Sequence, residues 1–190
     1  TINDIRQLAR TRQFKTTNGI RQLARTRQFK EWFLDIGVLR YCYGEEIVPD
    51  AIWALERLAT SGAKIVIISD YPSTASAIME DLCRKGFDTS LFVGAITTED
   101  LRRDHFLRFD FCIFKVMMYK SATVMADVDA ADRRIVVGGD FYCIKAANAA
   151  RISSIFITGG LHTFANTTDV LNHAVIRDAH PTYVLPFFTW

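Results

Sequence analysis

From residue 31 onward the hydrophobic pattern of the chain switches repeatedly between two periods, and this alternation restricts the fold more than any other feature. The segments "EWFLDIGVL" (31–39) and "AKIVIIS" (63–69) are nearly unbroken apolar runs, as strands covered on both faces require. Between them, "DAIWALERLATSG" (50–62) sets Ile52, Trp53, Leu55, Leu58 and Ala59 at helical spacing and stops at Gly62, a natural helix C-terminus. The pattern continues with a helix over about 73–86, a strand in "LFVGAI" (91–96) and a helix opened by "TTED" (97–100), where Thr97 and Asp100 have capping-box spacing. "FDFCIF" (109–114) is expected to be a strand and "VMMYKSATVMADV" (116–128) a helix. "RRIVVGGD" (133–140), "CIKAANAARI" (143–152) and "SSIFITGG" (153–160) then read as strand, helix and strand. Repeated β-α units predict an α/β, three-layer, Rossmann-like fold with a mainly parallel central sheet.

A chain of 190 residues, 49% hydrophobic and 23% charged, can bury a substantial core as one domain, so disorder is not expected. No apolar run approaches the roughly 18–20 residues needed to cross a bilayer as a helix, and the start of the sequence has no apolar signal core, so a cytoplasmic location is expected. Cys42, Cys83, Cys112 and Cys143 are scattered without a CxxC pair, which favours reduced thiols over a zinc site or a disulfide framework.

The net charge of +2 conceals an asymmetry. Residues 1–30 hold eight Lys or Arg against Asp4 alone, so this arm is strongly basic and the remainder mildly acidic. The arm is also a perfect tandem repeat, with "IRQLARTRQFK" at 5–15 and again at 20–30. Two units of eleven residues are too few for a solenoid. Three readings remain: a basic surface for nucleic acid or an anionic membrane, a solvated helical extension, or a recent duplication or gene-prediction artefact. Residues 1–30 are accordingly separated from a core domain at 31–190. Each copy has only three large apolar side chains, so at most one copy should dock on the core, with 20–30 the better candidate.

In parallel α/β sheets the reactive groups collect beyond the carboxyl ends of the strands. Polar residues stand at four expected strand ends here: Asp35, Ser69 with Asp70, Lys115 and Asp140. The runs "LDIGVL", "IVIISDYPS", "FKVMMYKSA" and "RRIVVGGDFYCIKAANAARISSIFITGGLHT", in this order, resemble the four motifs of haloacid dehalogenase-like hydrolases, and over about 31–190 the sequence looks most like the class IIA branch. The resemblance implies a Mg²⁺-dependent phosphatase acting through an aspartyl-phosphate. Asp35 would be the nucleophile, and Ser69 and Lys115, with Asp70 beside them, the catalytic and substrate-binding contacts. Lys120 is the rival to Lys115. Asp35 and Asp140 would be the ligands of Mg²⁺, which offsets repulsion between carboxylate and phosphate. Each residue also has a plainer reading as a turn residue, a helix cap or a solvated cation.

The sequence departs from that family in three places. The first motif normally reads Asp-x-Asp-Gly, its second aspartate serving as general acid and base; here Asp35-Ile36-Gly37 lacks that residue. The last motif lacks its second metal-binding acid. Only 45 residues separate Ser69 from Lys115, too few for a cap domain. The alternative to a phosphatase is therefore a catalytically inactive protein of the same fold, acting as a binding or scaffold module or left as a decayed gene product. The expected partners are a phosphorylated substrate and, because the site edge is open, a second copy in a homodimer. His105 and the other three histidines fall outside the motifs and are read as surface or packing residues.

Overall fold

The structure is a computed structural model and describes residues 15–16, 19–39, 46–48, 50–104, 111–127, 133–159 and 181–190. Its elements follow in chain order: β1 (Lys15–Thr16), α1 (Arg21–Arg25), β2 (Glu31–Asp35), α2 (Ala51–Thr60), β3 (Lys64–Ser69), α3 (Ala75–Arg84), β4 (Phe92–Thr97), α4 (Thr98–Asp104), α5 (Phe111–Ala126), β5 (Arg134–Gly138), α6 (Phe141–Ala149), β6 (Ser153–Ile157) and β7 (Tyr183–Leu185). The seven strands form one sheet in the order β1-β7-β6-β5-β2-β3-β4, and every neighbouring pair is parallel. This is the α/β Rossmann-like architecture that the alternating periods require.

The uniform apolarity of the central strands follows from their place between two helical layers. All five residues of β2 are buried. Trp32, Leu34, Ile65, Ile67, Ile135 and Val137 face one core, which also takes Leu55 and Leu58 of α2. Phe33, Val66, Ile68 and Val136 face the other, against Met118, Tyr119 and Ala122 of α5 and Ala146 and Ala147 of α6. Successive strand residues alternate between the two cores, as a period of two demands.

Strand order determines where a site can form. From β2 the chain builds outward through β3 to β4, then returns through α5 to β5 on the other side of β2 and continues to β6 and β7. The connections therefore diverge at the carboxyl ends of β2 and β5. Such a switch point leaves a crevice that no connecting helix covers.

One expected strand is a helix. The apolar run of "FDFCIF" predicts a strand, but its Phe111–Phe114 portion forms the first turn of the 16-residue α5, and Lys115 stands on that helix and not at a strand end. A short apolar run cannot distinguish a strand from one turn of a buried helix. Here the apolar residues Val116, Met117 and Met118 continue the run into a single long element.

The second copy of the basic repeat docks on the sheet. Ile20, Leu23, Ala24 and Phe29 are buried in the same core as Trp32 and Phe188, and Phe29 meets Trp32 and Tyr183 edge-on at 6.4 Å. Most of the first copy lies outside the described residues, although its last residue, Lys15, begins β1 alongside Tyr183. No helix among the described residues is long and apolar enough to cross a membrane.

Candidate active site

Asp35 ends β2 at the switch point. Its neighbours in register are Ile68 of β3 and, through Leu34, Val137 of β5, so the strands on either side deliver Ser69 and Asp70 from one flank and Asp140 from the other. Beyond Asp35 the chain turns at once into a buried 3-10 turn, Ile36–Leu39, and the Gly37 N–H points back to donate to Asp35 Oδ1 at 2.9 Å.

Lys115 descends on this carboxylate from α5. Its Nζ lies 2.6 Å from Asp35 Oδ2 and 2.8 Å from Asp70 Oδ2, and its side chain is 1% exposed. Lys120, by contrast, is exposed on the same helix, so it is Lys115 that lies against Asp35. Burial works against ionising Asp35, yet the Lys115 ammonium, its hydrogen bond and those from Gly37 and Cys143 overbalance it and hold the carboxyl below the usual carboxylate range. Burial likewise opposes charge on Lys115, but Asp35 first, and Asp70 further out, raise it well above the usual lysine value. The two groups form a buried ion pair. Asp70 goes the other way: burial raises it, the nearby Asp35 and Asp140 carboxylates add to that, and Lys115 compensates only in part.

Ser69 closes β3 fully buried beside Thr97. Its Oγ accepts the Tyr71 N–H at 3.3 Å, which leaves the hydroxyl proton available for donation. Thr98 Oγ1 donates to the Tyr71 carbonyl at 3.0 Å and so fastens the Asp70–Tyr71 turn to the start of α4. On the opposite flank Asp140 is the N-cap of α6, its Oδ1 accepting the Cys143 N–H at 2.9 Å. The "TTED" cap is present too, with Asp100 Oδ2 accepting from Thr97 N and Oγ1 at 2.9 Å each and Asp100 N donating to Thr97 Oγ1.

Sequence reasoning missed Cys143. Its thiol donates to Asp35 Oδ2 at 3.3 Å, so the same oxygen receives both Lys115 and Cys143. Burial, reinforced by Asp140 and Asp35, raises the thiol well above its ordinary value and keeps it protonated. The signal that could have found it is Gly138: a Cβ there would stand 2.4 Å from the Cys143 Cβ, so the strand must end in glycine for α6 to bring Cys143 in. The four histidines and the "GLHT" segment lie outside the described residues.

For a divalent cation, the donors that lie together among the described residues are one atom each from Asp35, Asp140 and Cys143, all within 4.8 Å of one another. Two carboxylates completed by water and a phosphate oxygen suit Mg²⁺, which takes few protein ligands and retains its waters. A neutral buried thiol is a poor ligand for so hard an ion. Asp35 and Asp140 therefore fit Mg²⁺, with a smaller anionic donor set than a third acid would give.

No family model matches the sequence, and no curated protein matches it. Solved structures do. A haloacid dehalogenase-like hydrolase from Brucella suis superposes with a TM-score of 0.68 at 13% identity, over 91% of this chain and 100% of that one. A putative phosphatase from Clostridium difficile gives 0.61 at 15% identity, over 84% and 95%. The D,D-heptose 1,7-bisphosphate phosphatase of B. bronchiseptica, solved with magnesium and phosphate, gives 0.60 at 15% identity, over 84% and 93%. The fold is that of the haloacid dehalogenase-like hydrolases. These likenesses speak to that fold and not to the class IIA branch.

Proposed function

We propose that this protein is a phosphatase that hydrolyses phosphomonoesters through an aspartyl-phosphate on Asp35. The observation that carries the reading is the buried Asp35–Lys115 pair, 2.6 Å apart, at the switch point of a sheet whose structural neighbours include phosphatases. Asp35 is held ionised, as a nucleophile must be, without needing a base to activate it. In the first step an Asp35 oxygen bonds to phosphorus as the ester P–O bond breaks, and the leaving oxygen departs as an alkoxide that takes its proton from solvent. In the second, water attacks the same phosphorus, the acyl phosphate bond opens, and Asp35 is regenerated with inorganic phosphate released. Lys115 neutralises charge on both the carboxylate and the transferred group. Ser69 donates its free hydroxyl proton to a phosphoryl oxygen. Asp70, itself an anion facing Lys115, is better placed to hold that lysine than to touch phosphate directly. Mg²⁺ held by Asp35 and Asp140 would supply electrostatic neutralisation of the incoming phosphate.

One observation favours a second reading, a site that binds phosphate without turnover. The turn after Asp35 is buried and wholly apolar, Ile36-Gly37-Val38-Leu39, so it places no carboxyl group against the leaving oxygen. General acid-base assistance is typically worth about 10²–10⁴-fold in rate. The two readings separate in one experiment. Hydrolysis of an aryl phosphate, whose leaving group needs little protonation, is measured with and without Mg²⁺ for the native chain and Asp35→Asn. The phosphatase reading expects Mg²⁺-stimulated release that Asp35→Asn abolishes. Equal rates for the two proteins, together with Asp35-dependent binding of beryllofluoride by calorimetry, would leave the binding reading standing.

A further inference from the structure

The sheet edge opposite the candidate active site carries a basic depression that phosphoryl transfer does not use. Helix α1 runs into β2 and helix α2 into β3, so both end at the amino edge of the sheet, where Lys64 N donates to the Lys30 carbonyl. Two abutting cavities of about 350 and 320 Å³ open there and share Ala24, Arg27, Thr60 and Ser61. Their charged lining is Arg25, Arg27, Lys30 and Arg57, with no acidic side chain among the lining residues. All four are exposed, and none forms an ion pair among the described residues. Basic residues at helix C-termini are commonly satisfied by the carbonyl dipoles alone. That account leaves two further features unexplained. The Arg57 guanidinium lies over the indole of Trp53 at 5.0 Å, and Trp53 in turn meets Trp190, a cavity-lining residue, at 6.4 Å. Trp53 is 44% exposed, a large aromatic side chain left partly in water beside the cations.

We propose that this edge binds nucleotide phosphate, with Arg25, Arg27, Lys30 and Arg57 contacting phosphate oxygens and Trp53 and Trp190 offering the aromatic surface for a base. Arginine forks and flat aromatic faces together are what a sugar-phosphate backbone with unpaired bases engages, and a cavity of this volume admits about one nucleotide. The same chemistry arises from a free nucleotide or from single-stranded nucleic acid.

The test uses the full chain and a fluorescein-labelled oligothymidylate of about twelve nucleotides, followed by fluorescence anisotropy, with AMP as competitor. Saturable binding is expected, equal in native protein and in Asp35→Asn because the two sites are separate. Arg25→Ala with Arg57→Ala should weaken it at least about tenfold and reduce the slope of log affinity against log salt by about 1.4, or about 0.7 per lost phosphate contact. Trp53→Ala should weaken the oligonucleotide while sparing inorganic polyphosphate. Displacement by AMP at comparable concentration identifies a single-nucleotide site; displacement only by strands identifies nucleic acid. Arg57→Gln serves as the milder variant if the double substitution lowers the melting temperature. Absence of binding, binding unchanged in the Arg variants, or a loss seen only on removing residues 1–14 would overturn the assignment.

Discussion

Lys115 and Cys143 converge on one oxygen of Asp35 and Asp70 meets the lysine from its other side, so these residues are unequal under mutation. Replacing Lys115 with Met leaves Asp35 and Asp70 as facing anions, one of them buried. Losing one partner of a buried pair costs about 3–5 kcal/mol, so urea denaturation should show a shift of that order. Asp35→Asn should cost less, since Lys115 retains Asp70 at 2.8 Å, yet it should abolish hydrolysis. The pH dependence follows from the directions of the shifts. The Asp35 carboxyl is depressed in the folded state, so its contribution to stability is present above the ordinary carboxylate range and is lost as pH falls through its lower folded value. Lys115 is raised, so its contribution is complete below the ordinary lysine range and disappears only as pH climbs through a still higher value. Asp70, raised by burial, binds its proton more tightly folded than unfolded and offsets part of the acid loss. Stability measured against pH should therefore hold on a broad plateau through neutrality. In Lys115→Met that plateau should fall away at the neutral end and recover on acidification, as the unpaired carboxyls take up protons.

At the scale of the element, one residue joins the cap of helix α6 to the proposed Mg²⁺ site. Asp140 caps it through the Cys143 N–H and also stands within 4.8 Å of the Asp35 ligand atom. Asparagine caps a helix about as well as aspartate but brings no charge. Asp140→Asn should leave the thermal melt nearly unchanged while lowering Mg²⁺ affinity in calorimetric titration. Asp140→Ala should show the same metal defect and in addition lose about 1 kcal/mol of stability. A melt unaffected by alanine would mean the cap contributes nothing. The approach of α6 to β5 depends on Gly138, where an added Cβ would have to displace Cys143. Gly138→Ala should cost about 1–3 kcal/mol through overpacking and, by moving Cys143 away from Asp35, change activity as well.

The whole molecule depends on its second repeat copy. Ile20, Leu23 and Phe29 seal one core beneath Trp32 and Phe188, and Ile20 N donates to the Thr189 carbonyl at 2.9 Å. Deleting residues 1–30 should therefore prevent stable folding, and Phe29→Ala alone should cost about 3–5 kcal/mol. Deletion of 1–14 spares β1 and all of these contacts, so its melting temperature should match that of the full chain. A large loss on that shorter deletion would mean that the first copy also carries core contacts. The second copy of the basic arm thus shares its apolar side chains with the core. Net charge reports the exposed arginines of α1 and nothing about which face of the helix is buried.

The sequence by itself determined the β-α alternation and the parallel sheet, and it placed Asp35, Ser69, Asp70 and Asp140 at or just beyond the ends of their strands. Each of these is written locally, in a hydrophobic period and in the polar residue that ends a strand. It also carried Gly62, whose φ of +91° ends α2 in the left-handed region that glycine tolerates. Only the tertiary structure decided that Phe111–Phe114 join a helix, that Lys115, the lysine the sequence already favoured over Lys120, reaches Asp35, and that Cys143 completes the cluster. The physical reason is sequence distance. Lys115 lies 80 residues from Asp35 and Cys143 lies 108 away, and contacts of that span are set by how β3, β4 and β5 order themselves around β2, a choice no local pattern records.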